Sequence, residues 1–225
     1  MTDILERIAE SLYQGNHREV TALVQQALEG GLSPAGVLSG LIAGMDRVGR
    51  DFKSGLLFVP EVLLAARAMH AAMAVLRPLL AETGVPRIGT YLIGTVQGDL
   101  HDIGKNLVRM MLEGAGFEVV DLGTDVAPEC FVAAVREHRP EILGMSALLT
   151  TTMPAMKRTI EALEEAGLRG QVKVMVGGAP VTQAWAAEIG ADGYAPDAAT
   201  AVEVARQLLH SVLGRGPAWD SRQKC

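Results

Sequence analysis

Asp99 and His101 have the residue types and the spacing to do chemistry together. In Gly98-Asp99-Leu100-His101 they stand two apart, so the carboxylate can reach back to one imidazole nitrogen. A carboxylate held there fixes the tautomer, raises the basicity of the ring and aims its other nitrogen outward, the usual support for a histidine metal ligand. One histidine cannot hold a free metal ion. No second His or Cys lies at ligand spacing nearby, and His138 falls at the end of an expected helix. A lone imidazole ligand makes sense where the metal arrives already chelated in a macrocycle, the protein adding an axial ligand and a pocket.

The elements that must position this pair lie in the second part of the chain. Short apolar, partly β-branched runs at 88–96, 118–122, 142–148 and 172–176, with a short strand near Tyr194-Ala195, alternate with helical stretches at 103–113, 128–138, 152–166, 181–189 and 198–213. That alternation predicts a parallel sheet covered by helices on both faces. Five strands fit the flavodoxin-like, Rossmann-type order 2-1-3-4-5, in which ligands collect at the carboxyl ends of the strands, at the switch between the first and third. The first strand runs out into the segment holding Asp99, His101, Asp102, Ile103 and Gly104. The third runs out into Ser146-Ala147-Leu148-Leu149-Thr150, and the fourth ends in Gly177-Gly178.

Residues 1–85 read differently. Apolar residues recur at helical spacing in four stretches: Ile4 to Leu12, Val20 to Leu28, Leu38 to Val48, and Leu63 to Leu76. Gly30-Gly31 closes the second, Ser33-Pro34 caps the third, and Pro60 can open the fourth. Four short-connected helices predict a small antiparallel bundle. The expected organisation is therefore a helical domain at 1–85, an α/β domain at 86–214 and a loose tail at 215–225, with 83–86 as linker and hinge.

Composition narrows the function classes. Hydrophobic residues make up 49% of the 225, enough for packed cores, and 20 basic against 26 acidic residues give a charge of −6. That balance argues against general binding of nucleic acid or anionic lipid. No apolar run was expected to reach a membrane span, and no secretion signal is visible at the start, so a cytoplasmic protein is expected. Cys130 and Cys225 are the cysteines; Cys130 is expected to be a small buried residue rather than a nucleophile.

Four elements in register carry a resemblance. Asp99-Leu100-His101-Asp102-Ile103-Gly104 matches the D-x-H-x-x-G motif of cobalamin-binding domains, Ser146-Ala147-Leu148 their S-x-L element, and Gly177-Gly178 their paired glycines. Upstream, Phe52-Lys53-Ser54-Gly55-Leu56-Leu57-Phe58-Val59-Pro60-Glu61 resembles the helical cap of methyl-carrying corrinoid proteins. The chain resembles the corrinoid proteins of methanol, methylamine, betaine and aryl-ether methyltransferase systems, and is similar to the cobalamin module of methionine synthase.

The resemblance implies cobalamin as cofactor, cycling between methylcobalamin and cob(I)alamin. It implies His101 as the lower cobalt ligand in place of the cofactor's own base, Asp99 hydrogen-bonded to His101, and Ser146 extending that relay. Asp102 and Ile103 would flank the ligand. The displaced nucleotide tail would run past Gly104, Leu148, Thr150, Gly177 and Gly178, and Phe58 would shield the methyl face. The implied partners are a substrate-specific methyltransferase, an acceptor methyltransferase acting on a thiol or tetrahydrofolate, and an activating reductase. The chain would be a carrier component rather than a complete enzyme.

Other readings compete. Asp99 could be a plain helix cap, Ser146 a turn cap and Phe58 ordinary core. A cobalamin-dependent sensor joins similar domains, but no basic recognition helix is visible here. The cobalamin subunit of an adenosyl-dependent mutase is a second rival, and a receiver domain a third, although the first strand does not end in the acidic pair that a receiver needs.

Overall fold

The structure, a computed structural model, describes residues 2–82 and 88–213. The expected 83–86 hinge and the 215–225 tail lie outside those residues.

The helical part contains α1 (Thr2–Tyr13), α2 (His17–Glu29), α3 (Pro34–Lys53) and α4 (Val59–Glu82). Local chemistry sets their ends. The Asn16 side chain accepts from the Glu19 amide at 3.3 Å, and Ser33 accepts from Gly36 N at 3.2 Å with Pro34 in the first turn. The fourth helix opens at Val59, one residue before the expected proline, because the Glu61 carboxylate reaches back to the Phe58 amide at 2.9 Å. Ile8, Leu12, Val24, Leu41, Met69 and Leu76 fill the bundle interior. A Cβ on Gly44 of α3 would stand 2.9 Å from the Ala9 carbonyl oxygen of α1, so only glycine lets these two backbones come so close.

One expectation needs correction here. The stretch Val59–Leu80 has a mean hydropathy of 1.4 and is, by length and composition, apolar enough to cross a membrane. One face of it is spent on the bundle, where Val62, Ala65, Ala66, Ala68, Met69, Ala72 and Leu76 are buried, while Leu63 and Leu64 stay exposed.

The α/β part runs β1 (Thr90–Thr95), α5 (Ile103–Gly114), β2 (Glu118–Asp121), α6 (Pro128–His138), β3 (Ile142–Ser146), α7 (Pro154–Glu165), β4 (Lys173–Gly177), α8 (Gln183–Glu188), β5 (Gly193–Ala195) and α9 (Ala198–Leu213). The strands pair in parallel in the order β2-β1-β3-β4-β5, the flavodoxin-like arrangement expected. Leu92, Phe131, Leu143, Met156, Leu163 and Val174 are fully buried around the sheet. The register matters most for function, since Thr95 pairs with Ser146 and Ser146 with Gly177. Three strands therefore end level, and the loops that follow them emerge side by side.

Over the described residues the chain separates into two compact units. One comprises residues up to Ile88 together with Met110–Phe117; the other comprises Gly89–Arg109 and the residues from Glu118 onward. The end of α5 thus groups with the helices rather than with the sheet. Within that first unit, Met45 lies against Gly114, and His70 Nε2 is 2.8 Å from Glu113 Oε2. Cys130 is exposed on α6, contrary to the burial expected of it, because the buried positions of that helix are Pro128, Phe131, Ala134 and Val135.

Candidate cofactor site

The site begins where β1 ends. Val96 N donates to Ser146 O at 3.0 Å, continuing the strand pairing by one residue, and Asp99 N then bonds back to Val96 O at 3.1 Å. This turn needs Gly98 at φ 84°, the left-handed region. Thr95 Oγ1 donates to the His101 carbonyl at 2.9 Å and ties the far side of the loop to the strand end.

Asp99 is fully buried and accepts five hydrogen bonds. Oδ1 takes the His101 amide at 3.1 Å and His101 Nδ1 at 2.9 Å. Oδ2 takes Leu148 N at 2.7 Å, Leu149 N at 3.3 Å and Thr152 Oγ1 at 2.7 Å. Burial pushes the Asp99 carboxyl up, but the bonds from Leu148, Thr152 and His101 outweigh it and hold the group well below the usual carboxylate range. The carboxylate is thus charged and acts only as an acceptor, so in the neutral ring His101 carries its proton on Nδ1 and its lone pair on Nε2. No described residue hydrogen-bonds Nε2, and the His101 side chain is 53% exposed.

The third member of this relay differs from expectation. The hydroxyl that meets Asp99 belongs to Thr152; Ser146 is half-buried at the end of β3 and is not among the partners of Asp99. The turn after β3 explains the difference. The Leu148 and Leu149 amides both point at the carboxylate, which brings the residue one turn later, rather than the strand terminus, against Oδ2. Thr152 Oγ1 also lies 2.9 Å from the Leu149 carbonyl. With one proton to give, the hydroxyl can serve either the carboxylate or that carbonyl. The run of hydroxyls in Thr150-Thr151-Thr152 is visible in the sequence, but nothing local in it singles out Thr152 for this role.

Other expected residues fall as follows. Asp99 does not cap α5; Asp102 precedes the helix, its carbonyl accepting from Asn106 N at 2.7 Å and its carboxylate from Asn106 Nδ2 at 3.0 Å. Ile103, Leu148 and Thr150 are exposed in the loops around His101, and a Cβ on Gly104 would meet nothing within 4 Å. Gly177 and Gly178 follow the same edge of the sheet, and Gly178 has φ 127°. Phe58 is 66% exposed on the helical unit, so it is not core. Sequence reasoning overlooked Lys105, whose buried ammonium lies 2.5 Å from Asp121 Oδ2 and 3.0 Å from Asn106 Oδ1, pinning the start of α5 to the end of β2.

These residues fit a chelated metal and not a bare one. No group of three or more His, Cys, Asp or Glu among the described residues could hold an ion. What surrounds the single imidazole is apolar and unusually open, with Leu100 and Ile103 74% and 80% exposed and Leu148 and Leu149 both half-exposed. Large apolar side chains exposed together mark a binding surface, and a broad macrocycle is a ligand that would cover them.

Comparison with known proteins settles the family. Residues 89–203 and 4–77 each match families described as B12 binding domain. The chain belongs to the corrinoid proteins. It is 46% identical over 209 residues to a dimethylamine corrinoid protein of Methanosarcina barkeri, covering 92% of this chain and 98% of that one. It is 45% identical over 212 residues to trimethylamine corrinoid protein 2 of Methanosarcina acetivorans, covering 93% and 98%. Among solved structures, a cobalamin-binding protein from Desulfitobacterium hafniense superposes with a TM-score of 0.78 at 33% identity, covering 91% of this chain and 98% of that chain. A chain of the methanol:cobalamin methyltransferase complex of Methanosarcina barkeri gives 0.81 at 33% identity, covering 92% and 80%. Cobalamin is accordingly the cofactor of this corrinoid protein, and its role is that of a methyltransferase-system component.

Proposed function

We propose that this corrinoid protein binds cobalamin with the cofactor's own base displaced and His101 as the lower axial ligand. In that form it carries a methyl group in the cytoplasm from a substrate-specific methyltransferase to a second one acting on a thiol or tetrahydrofolate. The observation that carries this reading is the His101 ring itself: Nδ1 is held at 2.9 Å by a buried carboxylate, while Nε2 is free among open apolar side chains.

When bound, the cofactor would supply a cobalt centre able to accept and release a methyl group, and His101 would hold it. Positive charge on a metal-holding imidazole would be stabilised by the Asp99 carboxylate at Nδ1. If the Asp99–His101 pair were to take up a proton, Thr152 could turn its hydroxyl from Asp99 Oδ2 to the Leu149 carbonyl and accept in its place. Leu100, Ile103, Leu148 and Leu149 supply an apolar bed, and Gly104, Thr150, Gly177 and Gly178 leave room for the displaced base. A separate reductase restores the carrier after accidental oxidation.

A methylamine is the proposed donor class, supported by the names of the relatives at 45–46% identity. The chain loaded with reduced cobalamin, given a methylamine methyltransferase and methyl-labelled dimethylamine or trimethylamine, should acquire label in a fraction that co-elutes with it. Labelled methanol with its own methyltransferase should transfer far less. Absence of label from every donor would overturn the carrier reading, and transfer from methanol alone would overturn the donor class.

A further inference from the structure

The loop that follows β2 holds an unusual residue. Asp125 has φ 54°, the left-handed region that non-glycine residues rarely enter and that aspartate tolerates better than most. Its backbone amide donates to the Asp99 carbonyl at 3.0 Å, and its Oδ1 accepts the Gly98 amide at 2.7 Å. Around it, Thr95 N donates to Gly123 O at 2.9 Å and Val126 N to Thr95 O at 3.0 Å, so this loop continues alongside β1 past the end of the sheet. Asp125 therefore grips the peptide units on both sides of the turn from which Asp99 and His101 project. The left-handed backbone is what allows one residue to use its own N–H and its own carboxylate on adjacent groups of the same partner loop. Asp125 is itself exposed, so its left-handed backbone is set by these bonds to the neighbouring loop rather than by burial of its own side chain.

We propose that Asp125 is a positioning residue for the cobalt ligand, holding the 97–101 loop so that the His101 ring is already aimed when cobalamin arrives. The proposal rests on the reading of His101 as that ligand. Preorganisation of this kind acts on the equilibrium between coordinated and free imidazole, and not on the stability of the fold.

The test uses the full chain loaded with cob(II)inamide, which brings no base of its own, and compares wild type with Asp125→Gly, Asp125→Asn and His101→Ala. Asp125→Gly keeps the backbone angle and loses the acceptor; Asp125→Asn keeps both. The electron paramagnetic resonance spectrum reports the share of cobalt carrying an axial nitrogen, and exchange of the Gly98 amide in the unloaded chain reports the grip on the loop. In Asp125→Gly the ratio of coordinated to free imidazole should fall about threefold to tenfold, with faster Gly98 exchange and an unchanged melting temperature; Asp125→Asn should restore both readouts. Wild-type ligation and exchange in Asp125→Gly, or failure of Asp125→Asn to rescue, would overturn the positioning role while leaving His101 intact. Nitrogen splitting that survives His101→Ala would instead overturn the ligand reading itself.

Discussion

Asp99→Asn should weaken cobalamin binding by about ten- to a hundredfold, the usual scale for a lost partner behind a metal-bound histidine. All five groups facing Asp99 are donors: the His101, Leu148 and Leu149 amides, the Thr152 hydroxyl and His101 Nδ1. An asparagine can satisfy only one side of that set. If its oxygen faces Leu148 and Thr152, its NH2 meets His101 Nδ1, which must then give up its proton. The imidazole proton moves to Nε2, and the nitrogen required for cobalt becomes a donor. If the amide turns the other way, its NH2 faces three donors, at about 1–3 kcal/mol for each group left unmatched.

The same carboxylate gives the effect a pH signature. Its value is depressed in the folded chain, so its contribution to stability is complete above the unfolded value near 4 and is lost as pH falls through the folded one. The gap in urea stability between wild type and Asp99→Asn should stay constant from pH 8 to about 5 and close in stronger acid. Titration of apo-protein with hydroxocobalamin checks the binding effect. Equal affinity for the two chains would mean that the carboxylate does not direct the ring.

Gly178→Ala should be the most damaging single methyl group in the sheet domain. Its Cβ would fall 1.8 Å from the Ala147 carbonyl oxygen and 2.8 Å from the carbonyl carbon, and its φ of 127° is one that an L side chain rarely adopts. Both partners are backbone, so no rotamer change relieves the overlap. The loss should exceed about 4 kcal/mol, the range reserved for gross steric or backbone conflict. Gly104→Ala is the control, because its Cβ meets nothing within 4 Å and it stands in the first turn of a helix. That change should be neutral or stabilise by up to about 1 kcal/mol. Urea unfolding of the two variants separates the cases, and a Gly178→Ala chain as stable as wild type would show that the β4 edge does not approach Ala147 as described.

How much of this could be read from the residues depended on whether the determinant was local. The alternation of short apolar runs with 3.6-periodic stretches marks a parallel sheet covered by helices, and α9 has the expected bounds because its apolar stripe is uninterrupted. The Asp99–His101 contact was legible because two residues apart in a turn is a local relation. Thr152 was not, since it reaches Asp99 across 53 positions through a turn whose geometry is set by two backbone amides. Asp125 was invisible for a similar reason, its left-handed backbone being stabilised by a loop 27 residues away. The apolar length of α4 shows the converse error, in which hydropathy alone cannot tell a bundle's core helix from a membrane span.

The central claim is tested most directly on the purified chain loaded with cob(II)alamin. Wild type should show nitrogen superhyperfine splitting in its electron paramagnetic resonance spectrum, and that splitting should persist when the chain is loaded with a cobinamide that has no base of its own. In His101→Ala it should vanish with the cobinamide, whereas with cobalamin the cofactor's own base can return and supply a nitrogen in place of the imidazole. Splitting that remains in His101→Ala with the baseless corrinoid, or that never appears in wild type with it, would contradict an imidazole from this loop as the ligand of cobalt.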